Sequence, residues 1–282
     1  MTPIPRLLEP QDLQALIADG TGSDSNNDHL VIVDLCNQAL YNHRHVPGAV
    51  HLPGNALVAG TPPVPGAHPG IEQLNKIVNY LGIDDSKHVI LYDDEGGGWA
   101  GRLAWSLDLL GLHNWSYLNG GIVPWVKEGF ACESEANQPK SVESNTSSDF
   151  ANPQVRITMD QLLVLLDSDN FAIWDARSPG EYSGDMVRAA RGGHIPGAIH
   201  LEWTDLMDQQ RNLRIRDNAQ EILDSLGLTK DKHIATHCQS HHRSSFTYMV
   251  ARILGYQHIT GYDGSWAEWG NSEDSPIELG NQ

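Results

Sequence analysis

HVPGAVHL, residues 45–52, returns in the second half of the chain as HIPGAIHL, residues 194–201, changed only by two exchanges of Val for Ile. The neighbours repeat as well. VIVD at 31–34 is echoed by AIWD at 172–175, and YLGIDDSKHVILYDD at 80–94 by SLGLTKDKHIATHCQ at 225–239. YLNGGIVPW at 117–125 pairs with GYDGSWAEW at 261–269. Four blocks in one order mean two copies of one domain, since chance similarity does not preserve order. A length of 282 residues suits two domains.

Between the copies, SEANQPKSVESNTSSDFANPQ at 134–154 is rich in Ser, Asn and Pro and has no apolar periodicity. It reads as an extended surface linker, which sets the domains at 1–133 and 155–282. Within each copy, VIVDL, HVILYD, FAIWDA and HIATHC read as buried strands bounded by turn residues. IEQLNKIVNYLG, RLAWSLDLLGL, NAQEILDSLGL and SSFTYMVARILGY carry apolar residues at helical spacing. Alternating strands and helices predict an α/β fold, in each copy a mostly parallel sheet with helices on both faces.

Composition narrows the function classes. Hydrophobic residues at 40 % and charged residues at 19 % describe an ordinary globular chain. A formal charge of −18 argues against nucleic acid and acidic membrane surfaces as partners. No apolar run approaches a membrane span, and MTPIPRLLEPQDL lacks the basic-then-apolar order of a secretory signal, so a cytoplasmic protein is expected. Three cysteines, Cys36, Cys132 and Cys238, make no disulfide framework. Three arginines precede residue 150 and nine follow it, so the second copy holds the material for an anion site.

Ligands of such sheets bind beyond the carboxyl ends of the strands. Cys238 falls there, between the strand HIATH and the helix SSFTYMVARILG, in the loop Cys238, Gln239, Ser240, His241, His242, Arg243, Ser244. A helix N-terminus and a tight loop aim backbone N–H groups at a common centre and favour a thiolate there. Arg243 adds a permanent positive charge, and His241 and His242 add charge or hydrogen bonds. His237, one residue earlier on the strand, faces the other way and reads as packing. Cys36 and Cys132 lack cationic companions and read as inert thiols.

The doubled domain, the H-[IV]-P-G-A-[IV]-H-L blocks, the YDGSWAEWG ending and the single cysteine loop together resemble the two-domain rhodaneses, over nearly the whole chain. CQSHHRS is similar to the loop of a bacterial thiosulfate sulfurtransferase subgroup, and departs from the Gly-containing loops common in the family. The resemblance implies ping-pong transfer. The Cys238 thiolate takes the outer sulfur of thiosulfate, and the persulfide passes it to cyanide or an acceptor thiol. No metal and no organic cofactor is expected. Acceptors of thioredoxin, dihydrolipoate or iron–sulfur assembly type are chemically open, and a monomer is expected.

The resemblance also implies that Arg191 and Arg177 bind the anionic substrate, with Arg188 a weaker candidate; a surface or interface ion pair is the alternative for each. Trp203 lines the pocket or packs, and Trp266 carries the same ambiguity. Asp34 and Asp175 recur in both copies, so they are read as structural, orienting the following loop. Asp93 stands opposite Cys238 in the first copy, in DDEGGGWAGR. A carboxylate carries no sulfur, and an anion-binding nest is expected to repel it; the first domain is therefore read as catalytically silent.

Two enzymatic and two non-enzymatic rivals follow from the same residues. Cell-cycle dual-specificity phosphatases use Cys-x5-Arg to wrap a tetrahedral phosphate, but only four residues separate Cys238 from Arg243. A 3-mercaptopyruvate sulfurtransferase must hold a carboxylate and a ketone, whereas this bulky cationic loop favours a compact dianion. A sulfur carrier would keep the persulfide without fast turnover. Metal binding by His237, Cys238, His241 and His242 is disfavoured by the orientation of His237 and the adjacent guanidinium. The His241–His242 pair, in place of the family's usual glycine, is read as tuning donor choice.

Overall fold

The computed structural model describes residues 3–20, 29–143 and 145–280. The chain divides into two compact units. The first comprises Met1–Leu57, Pro69–Ala151 and Asp208–Ile215; the second comprises Val58–His68, Asn152–Met207 and Arg216–Gln282. Each unit therefore includes one short stretch from the other repeat. The polar segment at 134–154 runs through Asn137 and Asn145, which hydrogen-bond Tyr41 and Asn79 of the first unit.

In the first unit the sheet order is Leu7–Leu8, Trp115–Leu118, His88–Tyr92, Leu30–Asp34, Val50–His51, with every neighbour parallel. In the second it is Ile259–Gly261, His233–His237, Phe171–Asp175, Ile199–His200, again parallel. Arg156 bridges Gly261 in parallel, in the place that Leu7–Leu8 holds in the first sheet. The helices Ile71–Leu81 and Gly98–Leu109, with Ala219–Ser225 and Arg243–Ile253 in the second unit, match the predicted periodic segments. Among the described residues no helix is long and apolar enough to cross a membrane.

The repeated octapeptide has a job at nearly every position, which explains its recurrence. His45 and His194 pair through their backbones with Glu133 and Glu278. The Pro-Gly turn needs a left-handed residue, and Gly48 and Gly197 supply φ of 76° and 71°. The Tyr41 hydroxyl donates to the Ala49 carbonyl, as Tyr182 does to that of Ala198. The same tyrosines stack on His45 and His194 at 4.1 and 3.7 Å between ring centroids. The second histidines, His51 and His200, donate through Nε2 to the carbonyls of Cys36 and Arg177, locking the loop after the central strand. Asp34 and Asp175 accept from the N–H groups of Cys36 and Arg177 in that loop, the orienting role their recurrence predicts. Apolar side chains close each unit separately: Leu13, Ile90 and Trp125 in one cluster, and Leu162, Ile195 and Trp269 in the other.

Candidate active site

His233–His237 lies inside the second sheet, hydrogen-bonded on both sides, so its carboxyl end is held rigidly. The chain then turns through Cys238–His242 and enters the helix Arg243–Ile253. Two carbonyls of this loop are taken up from behind. Trp266 N–H donates to Cys238 O at 2.9 Å, and Ala267 N–H to Gln239 O at 3.0 Å. Both donors belong to the short helix Ser265–Trp269, in the YDGSWAEWG block. With those carbonyls held, N–H groups of the loop remain to serve the thiol. His241 adopts a left-handed φ of 54°, a conformation a β-carbon disfavours and the reason glycine suits such loops. Its strain is held by Ser245 Oγ–H, which donates to the His241 carbonyl, and by His241 Nδ1, 2.8 Å from Ser244 Oγ.

Cys238 is 1 % exposed. Burial alone raises a thiol, yet Cys238 lies below the ordinary cysteine value. The charge of Arg243, the hydroxyl of Ser244 and the N–H groups of Ser244 and Ser240 outweigh the burial. The Ser244 hydroxyl hydrogen-bonds the Cys238 sulfur, and His241 Nδ1, 2.8 Å from the same Oγ, packs against it from the other side. Arg243 is held in turn by Glu181, whose two oxygens accept from Nη1 and Nη2 at 2.6 and 2.9 Å. This fork is the bidentate geometry in which guanidinium and carboxylate bind most strongly. Burial pushes Glu181 up, but the hydrogen bonds and charge of Arg243, with Ser178, hold it down at about 2.

The other predicted residues divide. Trp203 reaches the loop: its ring lies edge-on to His242 at 6.0 Å and to Phe246 at 5.9 Å. Gln239 Nε2 donates to the Arg188 carbonyl, and Arg188 Nε lies 3.2 Å from Glu181, so Arg188 borders the site. Arg177, by contrast, is buried and spends its donors on Asp175 and the Gly193 carbonyl, stacked 4.3 Å over the Trp266 ring. Arg191 clamps the C-terminal segment through the carbonyls of Trp269, Ser272 and Ser275. Both guanidinium groups work as braces inside the fold. The residue before the loop, His237, is buried, held down at about 4 by burial, and 3.5 Å from Asp175 Oδ2, a packed neutral side chain.

The first unit corrects one expectation. The Asp93 carboxylate is not repelled by the loop that follows it; it fills that loop. Oδ1 accepts from the N–H groups of Glu95, Gly96 and Gly97, and Oδ2 from those of Trp99 and Ala100. Converging N–H dipoles attract an anion whether or not it is tethered. Burial and the neighbouring Glu95 still raise Asp93 to about 6 against the pull of these donors. The equivalent loop is therefore an anion nest plugged by its own side chain. Cys36 occupies the position of Arg177 beside Asp34, and burial and that carboxylate push its thiol upward, as expected of an inert cysteine.

Sequence reading did not single out Glu181 or Ser265. Glu181 had a local signal in Ser178-Pro-Gly-Glu181, a capping-box spacing whose carboxylate also serves Arg243. Ser265, with a φ of 52° and its Oγ 3.4 Å from Cys238 N, had none.

A family model described as a rhodanese-like domain matches residues 9–128 and again 158–272. The chain is 44 % identical to the thiosulfate sulfurtransferase of Azotobacter vinelandii and 42 % identical to that of Pseudomonas aeruginosa, in each case over 98 % of both chains. Among solved structures it is similar to the anaerobic ergothioneine biosynthesis enzyme of Chlorobium limicola. The TM-score is 0.86 at 25 % identity, covering 98 % of this chain and 71 % of that one.

Proposed function

Because the chain belongs to the rhodanese family, we propose that it is a thiosulfate sulfurtransferase working through a persulfide on Cys238. The observation that carries the reading is the buried Cys238 thiol held below its ordinary range by Arg243, Ser244 and the loop N–H groups. A thiol so held gives up its proton more readily, and the thiolate is the nucleophile. It attacks the outer sulfur of thiosulfate, the S–S bond of the donor breaks, and sulfite leaves with the bonding pair. The product, Cys238–S–S⁻, carries its charge one atom further into the same field of donors. In the second half-reaction cyanide or a thiolate attacks the terminal sulfur, and the electron pair returns to Cys238. No proton has to be moved at sulfur in either step, and no metal or organic cofactor enters.

Arg243 and the loop N–H groups take the charge of thiosulfate, with Arg188 at the border and Trp203 as the apolar wall beside His242. Arg177 and Arg191 serve the site by bracing its surroundings. The first domain carries no sulfur, since its nest is filled by Asp93. The acceptor is a small thiol, cyanide, or a thioredoxin-like or iron–sulfur assembly protein. We infer a cytoplasmic monomer. The test compares thiosulfate with 3-mercaptopyruvate as donor, for the wild type and Cys238→Ser, with mass spectrometry for one added sulfur on Cys238. Thiosulfate is the preferred donor and the serine variant is inactive and unloaded. Sulfur transfer by Cys238→Ser sinks the mechanism.

A further inference from the structure

The second unit includes an arm, Val58–His68, that arrives from the first repeat. Its backbone is cross-bonded on itself: Ala59 N–H donates to Ala67 O at 2.8 Å, Gly60 N–H to Pro65 O at 3.1 Å, and Ala67 N–H to Val64 O at 3.1 Å. The prolines Pro62, Pro63 and Pro65 stiffen it further. Its end is anchored, because His68 N–H donates to Asp263 Oδ2 at 3.0 Å, while Asp263 Oδ1 accepts from Arg156 Nε at 2.8 Å. Asp263 is fully buried.

The arm meets the cysteine loop backbone to backbone at Gly66. A methyl group there would overlap the Ser240 carbonyl oxygen and lie 2.6 Å from its carbonyl carbon and 2.8 Å from its Cα. Contacts that short do not occur, so either the arm or Ser240 has to move. The arm is cross-bonded and anchored. Ser240 precedes His241, whose left-handed backbone already strains the loop. The loop is the part that yields.

We propose that Gly66 is a positioning residue for the Cys238 cradle: its missing side chain lets the arm press on Ser240 and hold that N–H group on sulfur. The inference rests on the reading of Cys238 as the nucleophile. A rigid wall behind a strained loop keeps the donors aimed before substrate arrives, which is what preorganised electrostatics requires. The choice of glycine here follows from close approach, not from conformation, since Gly66 has no left-handed φ.

The experiment measures the rate of Cys238 alkylation by iodoacetamide against pH in the full chain, scored by mass spectrometry at Cys238. Gly66→Ala moves the midpoint up by about one pH unit, which is about tenfold less thiolate below the midpoint. Asp263→Ser, which frees the anchor, moves it in the same direction by less. Gly70→Ala is the control: a methyl there meets nothing within 4 Å, and its midpoint stays. A folded Gly66→Ala, judged by circular dichroism, with an unchanged midpoint overturns the proposal. Should Gly66→Ala not fold, an unchanged midpoint in Asp263→Ser overturns it. A wild-type midpoint at an ordinary thiol value would instead count against Cys238 as the activated nucleophile, so the two failures are distinguishable.

Discussion

Replacing Glu181 by Gln tests whether the fork that holds Arg243 is an energetic keystone of the site. Glu181 is 3 % exposed in its side chain, and its folded-state value lies at about 2 against an ordinary 4.5. At about 1.4 kcal/mol per pH unit, that gap corresponds to about 3 kcal/mol of stability when the carboxylate is ionised. The sign follows from proton binding. The folded value is depressed, so in acid the unfolded chain binds the proton first. The contribution is fully present above pH 4.5 and is lost as pH falls through about 2. Glutamine keeps the shape and one acceptor but has no charge, and it leaves Arg243 without its counter-ion.

Guanidinium denaturation of both proteins at a series of pH values isolates this group, because the other carboxylates cancel in the difference. Glu181→Gln is less stable by about 3 kcal/mol from pH 7 to pH 5. The gap narrows below pH 4.5 and is nearly closed at the lowest pH where both still fold. A gap that does not change with pH means the loss is one of packing, and a gap under about 1 kcal/mol at pH 7 means the pair is worth no more than a surface one. Either result refutes the reasoning.

Three further perturbations follow. Arg243→Met removes the cation that most favours the Cys238 thiolate while leaving burial in force. The alkylation midpoint rises to that of an ordinary thiol or above, and sulfur transfer at pH 7 falls at least about tenfold. Asp93→Ala empties the plugged nest, leaving the N–H groups of Glu95, Gly96, Gly97, Trp99 and Ala100 without their acceptor. It lowers Tm, and sulfate restores Tm in the variant more than in the wild type by binding the folded state. An equal sulfate response in both shows that the nest binds no free anion. Replacing His241–His242 by Gly-Val relieves the left-handed strain at residue 241 and removes the ring beside Trp203. The rate ratio of thiosulfate to 3-mercaptopyruvate falls, and an unchanged ratio rules out donor tuning by the pair.

What was legible in the chain was legible because it is local or because it is doubled. HVPGAVHL and HIPGAIHL announce a shared loop since each residue answers to a backbone requirement within a few positions. Cys238 stood out because a strand end and a helix start bracket it, and because the copy supplied a contrast. Glu181, 62 residues from Arg243, belongs to another element, and no periodicity connects the two. Gly66 is further still, and a glycine required by close approach looks in sequence like any other loop glycine. Between the two readings of Arg177, substrate contact or ion pair, the structure shows the pair: Asp175, two residues earlier, takes its guanidinium. A D-x-R at a strand end is a candidate ion pair before it is a binding site, because the carboxylate is always present and the substrate is not. Asp93 carries the same logic with the sign reversed. A carboxylate opposite a nucleophile in a repeated nest marks an anion the chain supplies to itself. The first copy therefore shows the charge that a cradle of this shape is built to hold.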